Sequence, residues 1–332
     1  MKKIKVLQYG MGPLGQKITH YLLRKQGLRI VGAVDIDPEK AGKDLGALSR
    51  VGRHLGVTVS DNADAVLAAT KPDVVLLTTV SDLKRIEPQI AGILRHRASI
   101  VSTCEELSYP LLTNPALSRR LDSLARKNNA AVLGTGVNPG FLMDYLPLSL
   151  TAVCRDVKTV TVYRVQDATT RRVPFQKKIG AGLSVRQFNA RKRAGTLRHV
   201  GLTESMHMIA SAFGWTLDQT EDIVQPVIAK RTVRSKAVIA KPGMCRGVFQ
   251  LGRGIIDGTE RITLHFKAAL GERSPRERVV IRGTPRIDMT IKGGVHGDVA
   301  TCAIAANALF AVQHAAPGLR TMRDVPAISY VE

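Results

Sequence analysis

The chain has 332 residues, of which 44% are hydrophobic, so it can bury one large core or two moderate cores. It contains no run of about 18 apolar residues and no signal-peptide pattern, which predicts a soluble, cytoplasmic protein and not a membrane protein. Four widely spaced cysteines and eight scattered histidines form no ligand motif, so we expect no disulfide framework and no metal site.

The net charge of +22 is unevenly distributed along the chain. Residues 1–150 carry 20 basic and 13 acidic side chains, a balance of +7, whereas residues 151–332 carry 29 and 14, a balance of +15. Such a surface could neutralise nucleic-acid phosphates. Aromatic residues make up only 4% of the chain, however, and the basic residues are dispersed. We therefore expect a solvated basic surface and no nucleic-acid partner.

The first predicted strand leads into a glycine-rich turn. Residues 2–15 read KKIKVLQYGMGPLG, in which Gly10, Gly12 and Gly15 have the G-x-G-x-x-G spacing before a helical pattern over residues 17–24. The first glycine permits a sharp turn, the second lets the backbone approach a pyrophosphate, and the third allows close packing of helix on strand. This order predicts a dinucleotide site at a helix N-terminus.

A second predicted strand, over residues 29–35, ends in Asp35, which lies 25 positions after Gly10. A carboxylate at this place can accept hydrogen bonds from an adenosine ribose and repels a 2′-phosphate. NAD is therefore favoured. Lys40 or Lys43 could still approach a 2′-phosphate, so NADP stays open as the alternative cofactor.

Strands and helices then alternate as far as residue 138. We predict helices at 37–48, 61–69, 83–95 and 115–128, and strands at 57–59, 72–79, 99–102 and 130–134. The apolar run at 72–79 is typical of a strand buried on both faces of a parallel sheet. The alternation predicts an α/β domain of the Rossmann type, with a doubly wound parallel sheet.

From residue 157 the pattern changes to strands with few helices between them. We predict strands at 157–165, 246–252, 261–269, 276–281 and 286–291, and helices at 182–194, 203–213 with a continuation near 217–223, and 298–315. This series predicts an α+β domain with an open mixed or antiparallel sheet. The predicted domains are residues 1–138 for the dinucleotide and 139–297 for substrate binding and dimerisation, with residues 298–332 packing back on the first domain.

Two neighbouring acids, Glu105 and Glu106, follow the predicted strand at 99–102. Residues just past the carboxyl ends of strands line the ligand crevice of an open α/β sheet. A carboxylate there could hold a cationic amine or iminium and transfer its proton. Adjacent residues point in different directions, so only one acid is expected to face the crevice. Acids also favour a helix N-terminus whatever their function, and the residues alone leave both interpretations open.

Asn138, within Asn-Pro-Gly, follows the next predicted strand. Its amide could bond the nicotinamide carboxamide or the substrate, although these residue types equally favour an ordinary turn. In the second domain Tyr163, Arg164, Gln176 and His265 are candidates for the cleft, but an alternating sheet turns half of its side chains away. The chain has neither a G-x-S-x-G nucleophile motif nor a G-x-x-x-x-G-K-[ST] phosphate motif.

Five blocks of the sequence are distinctive in combination: GMGPLG, STCEELSYP, GTGVNPGFLMD, QDATTRRVPFQKKIGAGL and GGVHGDVATCAIAANALFAV. Together they resemble the 2,4-diaminopentanoate dehydrogenase family and the related native amine dehydrogenases, over nearly the whole chain. The resemblance implies a fold similar to dihydrodipicolinate reductase, with a helical C-terminal segment returning to the Rossmann domain. It also implies reversible oxidative deamination of a small primary amine to a carbonyl and ammonia, with NAD or NADP.

The resemblance further implies roles for individual residues. Glu105 would be the catalytic carboxylate, which orients the amine, accepts a proton and activates water against the iminium. The residues implied to bind substrate are Asn138, Arg164, His265 and Thr301. To cofactor binding we assign Gly10, Met11, Gly12, Pro13, Leu14, Gly15, Asp35, Thr79 and Asn138. A homodimer through the open sheet is expected.

Two other functions compete with this one. The first is a reductase of the dihydrodipicolinate type, but the H-H-x-x-K-x-D-x-P-S-G-T stretch of those enzymes is missing from the sequence. The second is a non-catalytic dinucleotide sensor that binds nucleic acid through its basic half. Steep salt-dependent binding to a duplex, without turnover, would support this second alternative.

Overall fold

The structure, a computed structural model, describes residues 3–332. The chain divides into two compact units. Unit 1 comprises the chain up to Gly140 together with Val299–Glu332, and unit 2 comprises Phe141–Asp298. Among residues 3–332, no helix combines the length and the apolar character needed to cross a membrane.

Unit 1 is built on parallel strands. They are β1 (Ile4–Tyr9), β2 (Leu28–Val34), β3 (Val59–Ser60), β4 (Val74–Leu77), β5 (Ser99–Ser102), β6 (Ala131–Gly134) and β15 (Gly318–Arg320). They form one seven-stranded sheet in the order β15-β6-β5-β4-β1-β2-β3, in which every neighbouring pair is parallel. The predicted doubly wound parallel sheet is confirmed. Its order reverses between β1 and β4, which is where such sheets bind their ligands.

Helices connect these strands and bury apolar faces against them. They are α1 (Pro13–Leu22), α2 (Leu45–Leu48), α3 (Ala63–Thr70), α4 (Leu83–Arg95), α5 (Pro115–Lys127) and, near the C-terminal end, α10 (Gly297–Ala311). In α4 the apolar residues Leu83, Ile86, Ile90 and Ile93 recur at helical spacing and are completely buried. Each contributes about 1.5–3 kcal/mol relative to an exposed position, so packing holds this helix on the sheet.

Two predictions for unit 1 were wrong, and one element was missed. Only Leu45–Leu48 of the predicted helix at 37–48 is helical, because the Asp44 carboxylate accepts the N–H groups of Gly46, Leu55 and Gly56 and holds a compact loop instead. The first helix begins at Pro13 and not at residue 17, since proline is well suited to the first helical position. The three-residue strand β15 was not predicted.

Unit 2 contains a mixed sheet and short helices. Its elements are α6 (Tyr145–Leu150), β7 (Asp156–Asp167), α7 (Val173–Lys178), α8 (Val185–Arg193), α9 (Leu202–Ala212), β8 (Gln219–Ile228), β9 (Val233–Arg234), β10 (Ile239–Ala240), β11 (Cys245–Ile256), β12 (Thr259–Ala269), β13 (Arg276–Thr284) and β14 (Ile287–Lys292). Six strands pair in the order β14-β13-β7-β12-β11-β8, with only β7 and β12 parallel, and β9 and β10 form a separate pair. The predicted mixed sheet is confirmed.

One face of this sheet is the core of unit 2. Val162, Leu264, Phe266 and Val279 are buried there with Phe188 of α8. The opposite face carries half-buried side chains. The predicted helical continuation near 217–223 was wrong, because residues from Gln219 onward form the edge strand β8. Pairing with β11 outweighs the local pattern at this edge. The short elements α7, β9 and β10 were also not predicted.

Candidate active site

The residues predicted for unit 1 lie at one edge of the parallel sheet. Asn138, Glu105, Thr79, Gly10 and Asp35 follow the carboxyl ends of β6, β5, β4, β1 and β2, which are consecutive neighbours in the sheet. The carboxyl ends of parallel strands meet at the same edge, where open α/β sheets bind ligands. The structure therefore places at one edge five positions that extend from Gly10 to Asn138 in the sequence.

The glycine turn is tightly packed except at its middle glycine. Gly10 has φ +99°, and a Cβ there would lie 2.7 Å from the carbonyl oxygen of Thr78. A Cβ at Gly15 would collide with the carbonyl oxygen of Gly10. A Cβ at Gly12, in contrast, would have no heavy atom of residues 3–332 within 4 Å. The outer glycines are thus required by the protein itself, whereas the middle glycine borders open space.

Two buried polar side chains support this turn, and neither was predicted. The Thr78 hydroxyl donates to the carbonyl oxygen of Gly10 at 2.8 Å. The Gln8 amide, completely buried within β1, donates to the carbonyl oxygen of Gly15 and accepts from Thr19 at 3.0 Å. A glutamine among the buried residues at the end of β1 was the available signal, since a buried amide needs partners.

Asp35 is linked to the turn and to a lysine. Its carboxylate accepts the backbone N–H of Met11 at 2.6 Å and that of Asp37 at 3.0 Å. Lys40 Nζ lies 3.2 Å from Asp35 and 3.0 Å from Asp37. Burial lowers the pKa of Lys40, but its hydrogen bonds with the two carboxylates raise it more, so the net pKa shift is upward. Asp35 therefore fixes the turn, with a cation beside it.

These features fit the dinucleotide that the glycine spacing predicts. Helix α1 begins after Gly12 without a capping side chain from residues 3–332, which leaves N–H groups of its first turn, including those of Leu14 and Gly15, for an anion. Proline at position 13 has no N–H to leave unsatisfied. Open space at Gly12 is where a pyrophosphate would approach the backbone. Thr79 was predicted to bind cofactor. It is exposed, and its hydroxyl donates to Gln89 at 2.7 Å, so its contact with the cofactor stays a prediction.

Glu105 and Glu106 have different surroundings. The Glu106 carboxylate accepts the N–H of Leu83 at 2.8 Å, at the start of α4, so it supports a helix N-terminus. Glu105 opens a short 3₁₀ turn (Glu105–Leu107) directly after β5 and is half-buried. Burial raises the pKa of the adjacent Cys104 to about 12, so this cysteine is a neutral thiol. The helix-terminus interpretation therefore holds for Glu106, whereas the catalytic role of Glu105 stays a prediction.

Asn138 has a buried side chain whose amide lacks hydrogen-bond partners in the described part of the chain. Neither its Oδ1 nor its Nδ2 has a hydrogen-bond partner within residues 3–332. An unsatisfied buried polar group costs about 1–3 kcal/mol, so a ligand that bonds this amide would remove a penalty. Thr301 in α10 lies close by in unit 1, since its hydroxyl accepts the N–H of Val137 at 3.4 Å. Substrate binding by Asn138 and Thr301 stays a prediction.

In unit 2, Arg164 is buried against an acid. It is 1% exposed, and its Nη1 donates to Glu277 at 2.7 Å. Burial lowers the pKa of Arg164 and raises that of Glu277, while their attraction opposes both shifts. Arg164 Nε and Glu277 Oε2 have no partner within residues 3–332. Sequence reasoning assigned Arg164 to the substrate and missed Glu277; that assignment stays a prediction, for a side chain whose charge is already paired.

His265 lies on the half-buried face of the sheet. It stacks on Tyr163, with ring centroids 4.4 Å apart and planes inclined by 3°. Burial lowers the pKa of His265. Gln176, in contrast, is buried and bonded to Arg171 and Ser235 within unit 2, which explains this residue structurally. The role of His265 toward substrate stays a prediction. Within residues 3–332, no group of three His, Cys, Asp or Glu side chains could hold a metal.

The chain matches known proteins over its whole length. Residues 141–332 match the 2,4-diaminopentanoate dehydrogenase C-terminal domain family. A 2,4-diaminopentanoate dehydrogenase from Acetoanaerobium sticklandii is 32% identical over 339 residues, which cover 98% of this chain and 94% of that protein. The chain belongs to the 2,4-diaminopentanoate dehydrogenase family. The resemblance seen in the five sequence blocks is thereby confirmed.

Further similarities agree with this family. An amine dehydrogenase from Streptomyces virginiae is 24% identical over 349 residues, covering 97% of this chain and 96% of that one. The solved structure of an amine dehydrogenase from Mycobacterium smegmatis has a TM-score of 0.87 and 27% identity, covering 98% of this chain and 97% of that chain. Residues 1–84 also match the CoA binding domain family. The similarity to this solved amine dehydrogenase thus covers both units of the chain.

Proposed function

We propose that this chain is an NAD(P)-dependent amine dehydrogenase. It catalyses the reversible oxidative deamination of a small primary amine of the 2,4-diaminopentanoate type to a carbonyl and ammonia. The observation that carries this proposal is the position of Glu105 beside the strand ends of the parallel sheet. Glu106 is engaged at the start of α4, whereas Glu105 follows the carboxyl end of β5, next to the strand ends that carry Thr79 and Asn138.

The chain's own residues supply binding and proton transfer. Gly10, Gly12 and the first turn of α1 would hold the pyrophosphate, and Asp35 would bond the adenosine ribose. When bound, the nicotinamide supplies or accepts the hydride. In deamination the Glu105 carboxylate orients the substrate amine through charge and accepts its proton. After releasing that proton to solvent, the carboxylate takes a proton from the water that attacks the iminium carbon and returns it to the amino nitrogen of the resulting carbinolamine. Ammonia then leaves, and loss of the hydroxyl proton gives the carbonyl.

The Asn138 amide has the chemistry that a carboxamide needs. One side-chain oxygen and one NH₂ group can exchange a pair of hydrogen bonds with the carboxamide of a nicotinamide. Neither atom has a hydrogen-bond partner among residues 3–332, as expected of a group that bonds a ligand. We assign Asn138 to this contact. Thr301, held beside Val137, and the unit 2 residues Arg164 and His265 are proposed substrate contacts on the resemblance alone.

NAD is proposed as the preferred cofactor. The Asp35 carboxylate is placed to bond a ribose and would repel a 2′-phosphate. Lys40, 3.2 Å from Asp35, reduces this repulsion and could bond a 2′-phosphate after leaving the carboxylates. The preference for NADH is therefore expected to be modest. Fluorescence titration with NADH and NADPH checks it, and tenfold tighter binding of NADPH would contradict it.

A homodimer through the half-buried face of the unit 2 sheet is also proposed. Cross-strand pairing aligns Tyr163, His265, Leu251 and Ile223 in one row on that face. Apolar and aromatic side chains in a row suit a second copy of the same sheet. We expect Leu251→Asp to convert the dimer to a monomer in light scattering. A wild-type monomer at micromolar concentration would contradict the proposal. The cytoplasmic location and the lack of a nucleic-acid partner stay sequence predictions.

The proposed reaction is tested in the aminating direction. The protein is mixed with NADH, ammonia and a panel of small aldehydes, ketones and 2-amino-4-oxopentanoate, and the absorbance of NADH is followed. We expect at least one carbonyl to oxidise NADH only when ammonia is present. A reductase of the dihydrodipicolinate type would instead oxidise NADH with a cyclic unsaturated acid and without ammonia. No ammonia-dependent oxidation with any carbonyl would contradict the proposal.

A further inference from the structure

A cavity lies in unit 1, away from the glycine turn. Its volume is about 540 Å³, which is within the range of small-molecule sites. Lys3, which precedes β1, and Leu28, the first residue of β2, line it. It is therefore at the amino ends of these strands, whereas Gly10 and Asp35 follow their carboxyl ends. A strand of six residues spans roughly 20 Å, so the two sites are separate.

The charged residues that line this cavity are all basic. Five of its twelve lining residues are Lys or Arg and none is Asp or Glu. Arg24, Arg29 and Arg53 are exposed and form no ion pair with another residue of the described chain. Lys25 differs, because its Nζ donates to the carbonyl of Val331 and lies 4.1 Å from the ring centroid of Tyr330. Three arginines that line the cavity thus have no counter-ion from residues 3–332.

The rest of the lining is mostly apolar. Leu22 and Leu28 are buried, and Ile30, Leu55 and Val57 are partly buried beside them. A bare inorganic anion would leave this apolar surface in contact with water. A neutral apolar molecule would leave the guanidinium groups without a partner, although these groups bind carboxylates and phosphates through paired hydrogen bonds. Only a ligand with both parts complements the whole lining.

We propose that this cavity binds an amphipathic anion, with a carboxylate or phosphate head and an apolar body. The head is held by Arg24, Arg29 and Arg53, and the body lies on Leu28 and its apolar neighbours. Because the site is separate from the glycine turn, such a ligand binds together with the dinucleotide. The site is thus independent of the proposed reaction, and its test does not require turnover.

Calorimetric titration of the full chain, saturated with NADH, tests the proposal with four probes. They are decanoate and decyl phosphate, which differ in the anionic head, and decanol and decyltrimethylammonium, which lack a negative charge. We expect one anion per chain with a Kd of about 0.1 mM or tighter, and at least tenfold weaker binding of the uncharged and cationic probes. The tighter of the two anions identifies the head. Binding of neither anion, or equal binding of the cation, would overturn the proposal.

Variants locate the site. Arg29→Gln combined with Arg53→Gln is expected to weaken binding of the anion at least tenfold, and Leu55→Trp to weaken it by filling the cavity. Arg119→Gln is the matched control, because Arg119 is an exposed arginine of α5 that does not line the cavity. NADH titration shows that each variant is folded. Unchanged affinity in the double variant, or displacement of the anion by NADH, would refute the assignment.

Discussion

The two units of the chain use buried polar groups differently. In unit 1 the carboxyl edge of the parallel sheet leaves groups for a ligand: Gly12 borders open space, and the Asn138 amide has no partner within residues 3–332. In unit 2 the charge of Arg164 is neutralised by Glu277 at 2.7 Å. A ligand is therefore expected where a buried polar side chain has no partner at all. Burial of a charged side chain does not by itself mark a site, because another side chain of the protein can neutralise its charge, as Glu277 does even though Arg164 Nε has no hydrogen-bond partner within residues 3–332.

The largest expected effect is on the stability of unit 2. Arg164→Met leaves the Glu277 carboxylate buried without its partner, which costs about 3–5 kcal/mol of unfolding free energy. The double variant with Glu277→Leu is expected to recover most of this loss, since two apolar side chains replace the pair. Urea denaturation measures both. A stable Arg164→Met would contradict this structural role, whereas a raised KM beside the lost stability would support the substrate contact proposed for Arg164.

The glycine turn gives the next largest effect, with an internal control. Gly12→Ala adds a Cβ into open space, so we expect unchanged stability but at least about tenfold weaker NADH binding, a loss of about 1.4 kcal/mol. Gly15→Ala would push against the Gly10 carbonyl and is expected to lower both stability and NADH affinity. Thermal denaturation and fluorescence titration separate the two results. Normal NADH binding by Gly12→Ala would show that the cofactor does not bind at this turn.

A smaller effect is expected at Lys40. Lys40→Gln removes the cation that lies beside Asp35 and Asp37, so a 2′-phosphate meets two uncompensated carboxylates. We expect NADPH binding to weaken about tenfold, or about 1.4 kcal/mol, and NADH binding to change little. Lys127→Gln is the control, because Lys127 is an exposed residue of α5 that forms no ion pair with Asp35 or Asp37 in the described chain. Equal losses for both cofactors in Lys40→Gln would show that the lysine only supports the loop.

The smallest expected effect is the pH dependence at His265. Burial lowers its pKa in the folded chain, whereas the unfolded chain has the ordinary value near 6.5. Protons therefore bind the unfolded chain more readily, and this stability is present above pH 6.5 and is lost as the pH falls below it. His265→Phe is expected to show a shallower fall in melting temperature between pH 7.5 and 5.5. His207, whose pKa burial also lowers, accounts for part of the remaining slope.

Local pattern was sufficient for most of unit 1. The sequence placed Gly10, Asp35 and Glu105 at the carboxyl edge of the sheet. This was possible because each residue lies at the end of a predicted strand or just past it, and such positions have a fixed place in a parallel sheet. Lys40 was considered from sequence as a possible contact of a 2′-phosphate, but its position between two carboxylates depends on the turn in which its backbone N–H donates to the carbonyl oxygen of Asp37. Thr78 was missed because its role is a hydrogen bond across the sheet to Gly10.

Long-range pairing explains what was missed in unit 2. Glu277 is 113 positions from Arg164, and their contact arises only because β13 pairs with β7. The start of the edge strand β8 was predicted as helix near 217–223. Its alternation of apolar and polar residues is weak, and the strand is stabilised by pairing with β11. No periodicity in the sequence carries this information. A charged residue in a predicted strand can therefore be located by sequence, but its partner cannot.

The most direct test of the proposed chemistry compares Glu105→Gln with Glu106→Gln in ammonia-dependent oxidation of NADH, with the best carbonyl of the panel. If Glu105 transfers the proton, its variant loses about 10²–10⁴-fold in kcat and keeps its melting temperature. Glu106→Gln keeps its rate within about tenfold and loses about 1 kcal/mol of stability, because it weakens the contact at the start of α4. A Glu105→Gln enzyme with full activity, or the larger loss in Glu106→Gln, would contradict the assignment.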